Sequence, residues 1–239
     1  MNRTTVRELV RHGLHATSLD QLLFRRRASR GMDVSHLMTP DRKGAFEQIY
    51  RRGIWLNGQN PATLSGAGSR LEATTVLQQE LPRLIDRLGA RSVLDVGCGD
   101  FTWMQHVRLD VPYVGVDIVA AVIEENQRRH GSPRREFRCL DAVTEPLPAV
   151  DVVLCREVLF HLSLADARSL LANVRASGAG HLVVTTDEAT RFNADIRSGD
   201  FRVLNLRRRP FNLPAPRYEI RDDAVQSGRV MGVWRTTDL

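Results

Sequence analysis

The stretch Arg91–Trp103, RSVLDVGCGDFTW, limits what this chain can fold into more than any other. The apolar residues Val93, Leu94 and Val96 run straight into Gly97 and Gly99, which reads as a buried strand, a tight turn and the opening of a helix. Glycine at such a turn lets backbone come close to a ligand. The rest of the chain alternates in the same way. Strands are expected near 92–96, 113–117, 136–140, 150–155 and 181–186, with helical stretches between them, so the sheet is mainly parallel and covered on both faces. Two more strands near 217–221 and 229–235, separated by Asp222-Asp223 and Ser227-Gly228, read as an antiparallel hairpin.

The turn also discriminates among cofactors. A dinucleotide fingerprint needs a third glycine where this chain has Thr102. Asp100, at the expected helix opening, would repel a pyrophosphate. S-adenosylmethionine carries sulfonium and ammonium centres and no phosphate, and suits the turn better. Asp95, Gly97 and Gly99 resemble motif I of class I S-adenosylmethionine-dependent methyltransferases, acidic-x-Gly-x-Gly-x-Gly, with Phe101 in place of the last glycine. In motif order and topology the resemblance extends from about Ser92 to Arg235. It implies an α/β, Rossmann-like class I methyltransferase fold: a seven-stranded, mostly parallel sheet with a C-terminal antiparallel hairpin, here preceded by an N-terminal helical extension. It also implies an enzyme that converts S-adenosylmethionine to S-adenosylhomocysteine.

Asp117 ends the second strand and follows the glycine turn by about the 20 residues at which an acidic side chain accepts from ribose hydroxyls. Capping the next helix is the alternative. The resemblance adds Asp141 facing the adenine amine, the Ala142 amide on the ring, and Asp95 at the methionine end. Trp103 and Ile118 are apolar candidates against the cofactor or plain core residues. The loop NGQNPATLSGAGSRLE resembles the segment that folds over the methionine end in many small methyltransferases, making Gly66 and Ser69 contacts; a helix cap and loop is the competing reading. Ser69 and Glu72 form a capping-box pattern for a helix from about Arg70 to Leu88, with Leu71, Thr74, Val76, Leu77, Leu81, Leu84 and Leu88 facing a core and Pro82 kinking or splitting it.

Substrates of open α/β sheets lie outside the carboxyl ends of strands, which marks Arg156, Glu157 and His161 after the fourth strand. Methyl transfer to a hydroxyl needs alignment and a proton acceptor, a role His161 can fill with Glu157 orienting it from one face of a helix. A histidine without catalytic duty is the rival. Cys155-Arg156-Glu157-Val158 replaces the Asn/Asp-Pro-Pro-aromatic motif of enzymes that methylate base or amide nitrogens. That favours oxygen acceptors on polar or anionic small molecules such as sugars, phosphonates or secondary metabolites. The weakly periodic stretch 187–216 reads as a substrate wall or lid, with Asn193, Asp195, Arg202 and Asn205 gripping a polyol or anion.

Charge sets the rivals. Lys+Arg number 34 against 28 Asp+Glu, a net +6, yet Lys43 is the only lysine. Such a bias reflects base composition of a genome more than a nucleic-acid surface, so nucleic acid is not the expected partner. An RNA methyltransferase and a non-catalytic S-adenosylmethionine-binding module stay as alternatives. Cys98, Cys139 and Cys155 lack metal-ligand spacing and read as buried thiols of a reducing cytoplasm; no metal is expected. No apolar run reaches membrane-spanning length. The expected layout is a helical arm over 1–40, a helical cap over 41–90 and the catalytic domain over 91–239. Val6, Leu9, Val10 and Leu14 make a helical stripe in the arm, Leu19, Leu22 and Leu23 suggest a second helix broken by Arg25–Arg27, and a homodimer contact is one reading of the arm.

Overall fold

A computed structural model of the chain describes residues 9–10, 12–15, 17, 19–56 and 63–239. Val6 and the loop residues 57–62 lie outside the described residues. Seven strands form one sheet: β1 (Val93–Val96), β2 (Tyr113–Asp117), β3 (Arg135–Cys139), β4 (Val152–Cys155), β5 (His181–Asp187), β6 (Tyr218–Arg221) and β7 (Arg229–Arg235). Their order is β3-β2-β1-β4-β5-β7-β6. The first five run parallel, and β7 pairs antiparallel with both β5 and β6. The direction of winding reverses between β1 and β4, which opens a crevice at their carboxyl ends.

Strand alternation divides the core between two faces. Val93, Val152, Leu154 and Val183 point to one side, with Leu77, Leu81, Leu84 and Ile85 of a helix at Thr75–Arg87 and Ile123 of another at Ala120–His130. Leu94, Val96, Val153, Leu182 and Val184 point to the other, with Leu170, Leu171 and Val174 of a helix at Leu164–Ala176. Two further helices, Asp20–Ala28 and Arg42–Arg52, precede them. In chain order these are α1 (Asp20–Ala28), α2 (Arg42–Arg52), α3 (Thr75–Arg87), α4 (Ala120–His130) and α5 (Leu164–Ala176).

Several sequence expectations are corrected. No α-helix follows the glycine turn; a 3₁₀ turn at Met104–His106 stands there instead. Phe101 takes a positive φ of 58° and buries its ring against Tyr113 and Phe137, so the residue in the last glycine's place keeps a glycine-like backbone and turns it to packing. The Ser69–Glu72 capping box does not form: two 3₁₀ turns without side-chain caps precede α3, and Leu71 and Val76 face solvent. Pro82 sits inside an unbroken α3. α1 continues through Arg25–Arg27 to Ala28, with Phe24 rather than Leu22 as its buried apolar residue.

Cys139 is exposed because β3 is an edge strand, whereas Cys98 and Cys155 are buried. The native protein will therefore take up one equivalent of iodoacetamide, at Cys139, and the other two thiols will react only after unfolding. Peptide mass mapping of the alkylated sites checks this.

Candidate active site

A cleft with a cavity volume of about 110 Å³ lies over the carboxyl ends of β1, β2 and β4. Its floor is the glycine turn. Gly97 and Gly99 take φ of 68° and 57°, and a Cβ on Gly97 would stand 2.3 Å from the Val158 side chain. Only glycine fits there. The Gly99 amide donates to Asp117 Oδ2 at 3.2 Å, and the Val119 amide donates to Asp117 Oδ1 at 3.0 Å. Asp117 therefore ties the turn to the end of β2, anchors the entry to α4 and still lines the cleft. Burial raises its pKa.

Three more carboxylates line the same space. Asp95 is buried and accepts from the Tyr113 hydroxyl at 2.7 Å; burial pushes its pKa up to about 7 despite that bond. Burial would raise Asp141, but Arg42, the Val143 amide and the Thr144 hydroxyl hold it below the ordinary carboxylate range. Arg42 Nε donates to Asp141 at 3.1 Å, and its Nη1 reaches Asp166 at 3.4 Å. The cleft is completed on this side by Ile118, Ala142 and Trp103.

The fourth carboxylate, Glu157, opens the turn after β4. Its φ of 62° is unusual for a residue with a side chain, and the Thr185 hydroxyl holds its amide at 2.8 Å. Arg229 donates to its carboxylate, which packs against Gly68; a Cβ there would stand 2.4 Å from Glu157 Oε2. The segment is not α-helical, as a helix-face pairing required: Leu159–His161 is a 3₁₀ turn. Glu157 and His161 nevertheless both line the cleft, and Glu157's charge acts on the imidazole. His161 Nδ1 lies 3.1 Å from the Asp200 carbonyl. A carbonyl only accepts, so Nδ1 carries the proton and Nε2 keeps the lone pair. Burial, opposed by Glu157, lowers the imidazole pKa and keeps the ring neutral near pH 7.

Arg156 is placed differently from the substrate-gripping role expected of it. It touches the cleft, but its guanidinium is buried, bonded to Asp222 at 2.8 and 3.1 Å and stacked on Trp103 at 5.4 Å. Asn193, Arg202 and Asn205 do not line the cleft at all. The Asn193 side chain bonds to both backbone groups of Asn205 and donates to the Arg209 carbonyl, and the Asn205 side chain donates to the Glu188 and Thr190 carbonyls. Arg202 gathers the carbonyls of Ala194, Leu159 and Leu162. Asp195 accepts from the Leu164 amide at the start of α5. The stretch 187–216 is thus a brace behind the His161 turn and not a wall of the cleft. Its polar side chains satisfy an irregular backbone that has no ladder partners.

The wall comes from residues the sequence reading did not single out as contacts: Arg42, Phe46 and Tyr50 of α2, then Trp55. Trp55 sits 4.9 Å from the His161 ring, 5.5 Å from Tyr50 and 6.2 Å from Phe46. Phe46, Ile49 and Tyr50 have helical spacing, but which side of α2 meets solvent, core or cleft depends on its docking. Ser65 and Ser69 line the cleft, whereas Gly66 packs on Trp55 outside it. Asp100 fastens this covering segment: its carboxylate accepts from Thr63 Oγ1 at 2.7 Å and from the Leu64 and Ser65 amides, and its own amide donates to Ser65 Oγ at 3.0 Å.

Comparison with known proteins agrees with this geometry. A family model described as a methyltransferase domain matches residues 94–178. An uncharacterized methyltransferase of Mycobacterium bovis is 34% identical over 104 residues, 41% of this chain and 52% of the relative. The chain therefore spans about half the length of the curated relatives it matches. Among solved structures, human N-acetylserotonin methyltransferase has a TM-score of 0.59 at 14% identity, over 93% of this chain and 68% of that one. Magnesium protoporphyrin IX methyltransferase of Synechocystis PCC 6803 has a TM-score of 0.55 at 15% identity, over 82% and 98%. At such identities the likeness speaks for the fold.

Proposed function

We propose that this chain, which belongs to the class I S-adenosylmethionine-dependent methyltransferases, transfers the methyl group of S-adenosylmethionine to a hydroxyl oxygen of a small molecule. The observation that carries this reading is a neutral imidazole, His161, with an available Nε2, on the same cleft as the Gly97–Gly99 cradle and Asp117. The residues fit the cofactor. Side chains at positions 97 and 99 would fill the cradle, and the lining carboxylates outnumber the lining arginines, which suits a sulfonium and an ammonium. Asp117 would hold the ribose hydroxyls, Asp141 and the Ala142 amide the adenine, and Asp95 the ammonium, with Ile118 and Trp103 as apolar neighbours. When bound, the cofactor supplies an electrophilic methyl group on sulfur. His161 Nε2 accepts the hydroxyl proton of the acceptor as its oxygen becomes bonded to carbon, and Glu157 stabilises the imidazolium that results.

Isothermal titration calorimetry tests the premise: saturable heat with S-adenosylmethionine and S-adenosylhomocysteine is expected, and none with a nicotinamide or flavin compound. The reverse pattern would overturn it. The covering segment makes a second prediction. Asp100→Ala removes three donors' common acceptor, so S-adenosylhomocysteine affinity will fall about tenfold, the scale of one charge-assisted hydrogen bond. An unchanged dissociation constant would show that the clasp does not shape the cleft.

A further inference from the structure

We infer that the acceptor is an uncharged, planar aromatic alcohol, bound against the Trp55 wall beside His161; this rests on the methyl-transfer reading above. The anion-binding expectation depended on arginines, and the fold has already assigned them. Among the described residues lining the cleft, the arginines are Arg42 and Arg156. Arg42 holds Asp141 and Asp166, and Arg156 is locked to Asp222. Behind Glu157, Arg229 is bonded to that carboxylate and to the Asp222 carbonyl.

Against those two arginines stand the carboxylates of Asp95, Asp117, Asp141 and Glu157. A sulfonium cofactor offsets part of that negative charge, but nothing on the described lining is left to neutralise an added phosphonate or carboxylate. Desolvating an unpaired anion there is costly, whereas a neutral hydroxyl needs one acceptor and finds it at His161 Nε2.

Shape points the same way. The proposed cofactor contacts sit at the ends of β1, β2 and β3, and Tyr50 belongs to that side, its hydroxyl 3.1 Å from where a Gly99 Cβ would stand. The acceptor is then placed at the His161 end, where Trp55 lies 4.9 Å from the imidazole and 6.2 Å from Phe46. These rings give an apolar wall against which an aromatic acceptor packs edge-on or tilted.

The experiment uses the full chain saturated with S-adenosylhomocysteine, titrated calorimetrically at pH 7 with 2-naphthol, phosphonoacetate and glucuronate. Saturable binding of 2-naphthol at least tenfold tighter than either anion is expected. Trp55→Ala should weaken 2-naphthol about tenfold, and Trp55→Phe should restore most of it, while both keep the parent affinity for S-adenosylhomocysteine. Tighter binding of either anion, or no heat with 2-naphthol while S-adenosylhomocysteine binds, overturns this inference alone. If S-adenosylhomocysteine itself gives no heat, the methyl-transfer reading fails and takes this one with it. Loss of cofactor affinity in both Trp55 variants would place Trp55 in the cofactor site and also overturn the assignment.

Discussion

Exchanging His161 for asparagine will lower the methyl-transfer turnover number roughly 100- to 10,000-fold, the range that a positioned general base supplies, and leave cofactor affinity unchanged. The asparagine amide can still donate to the Asp200 carbonyl, so the turn keeps the bond that now orients the ring. What disappears is the lone pair on Nε2. Phenylalanine at the same position controls for packing between Trp55 and Phe201, which flank the imidazole at 4.9 and 5.3 Å. If either variant turns over like the parent, His161 is only a packing residue. The pH dependence gives an independent reading. Burial sets the imidazole pKa below its ordinary 6.5, so at saturating cofactor, which separates this effect from the titration of Asp95 near 7, the turnover number will fall only as pH drops below 6.5 and acid protonates Nε2. The same shift affects stability: above pH 6.5 both folded and unfolded states leave the ring neutral. As pH falls below 6.5 the unfolded chain takes up the proton first, so this contribution is lost on acidification. The asparagine variant will lack that acid-side loss.

The sheet was legible because its signals are local. The short continuous apolar runs at Val152–Cys155 and before Gly97 mark buried strands whatever surrounds them, and the β7 hairpin follows from turn residues. That Gly97, Gly99, Asp117, Asp141 and Ala142 line one cleft was equally legible, since they sit at strand ends, where topology alone aims them. The rest of the lining was not. Whether Arg156, Arg202 or Asn193 faces a ligand or a buried carbonyl depends on partners far along the chain, and polar residues in an irregular segment look the same in either role. Trp55 was missed as a contact for the same reason: it reaches the cleft only because α2 packs across the strand ends. Asp100, read as a bar to pyrophosphate at a helix opening, sits instead at a turn without a helix and holds the covering segment.

Asp222→Ala will destabilise the protein by about 3–5 kcal/mol, because it strands buried charge without its partner. The carboxylate has no exposure and binds Arg156 at 2.8 and 3.1 Å, with Arg229 Nε at 3.4 Å. Both guanidiniums are nearly as buried. Burial works against the Asp222 charge, and Arg156 and Arg229 oppose it. The cluster's effect is positional. Asp222 follows β6, Arg229 opens β7 and Arg156 follows β4, so the cluster fixes the hairpin against the turn that carries Glu157 and His161. Two results should follow in urea unfolding at pH 7. The single variant will lose most of its midpoint, whereas Asp222→Leu combined with Arg156→Met, which leaves no unpaired charge at that contact, will recover much of the loss. In the recovered double variant, Arg229 still holds Glu157 while the tie to β4 is gone. Turnover should then fall further than cofactor affinity; a double variant with parent turnover would show that the cluster serves folding alone.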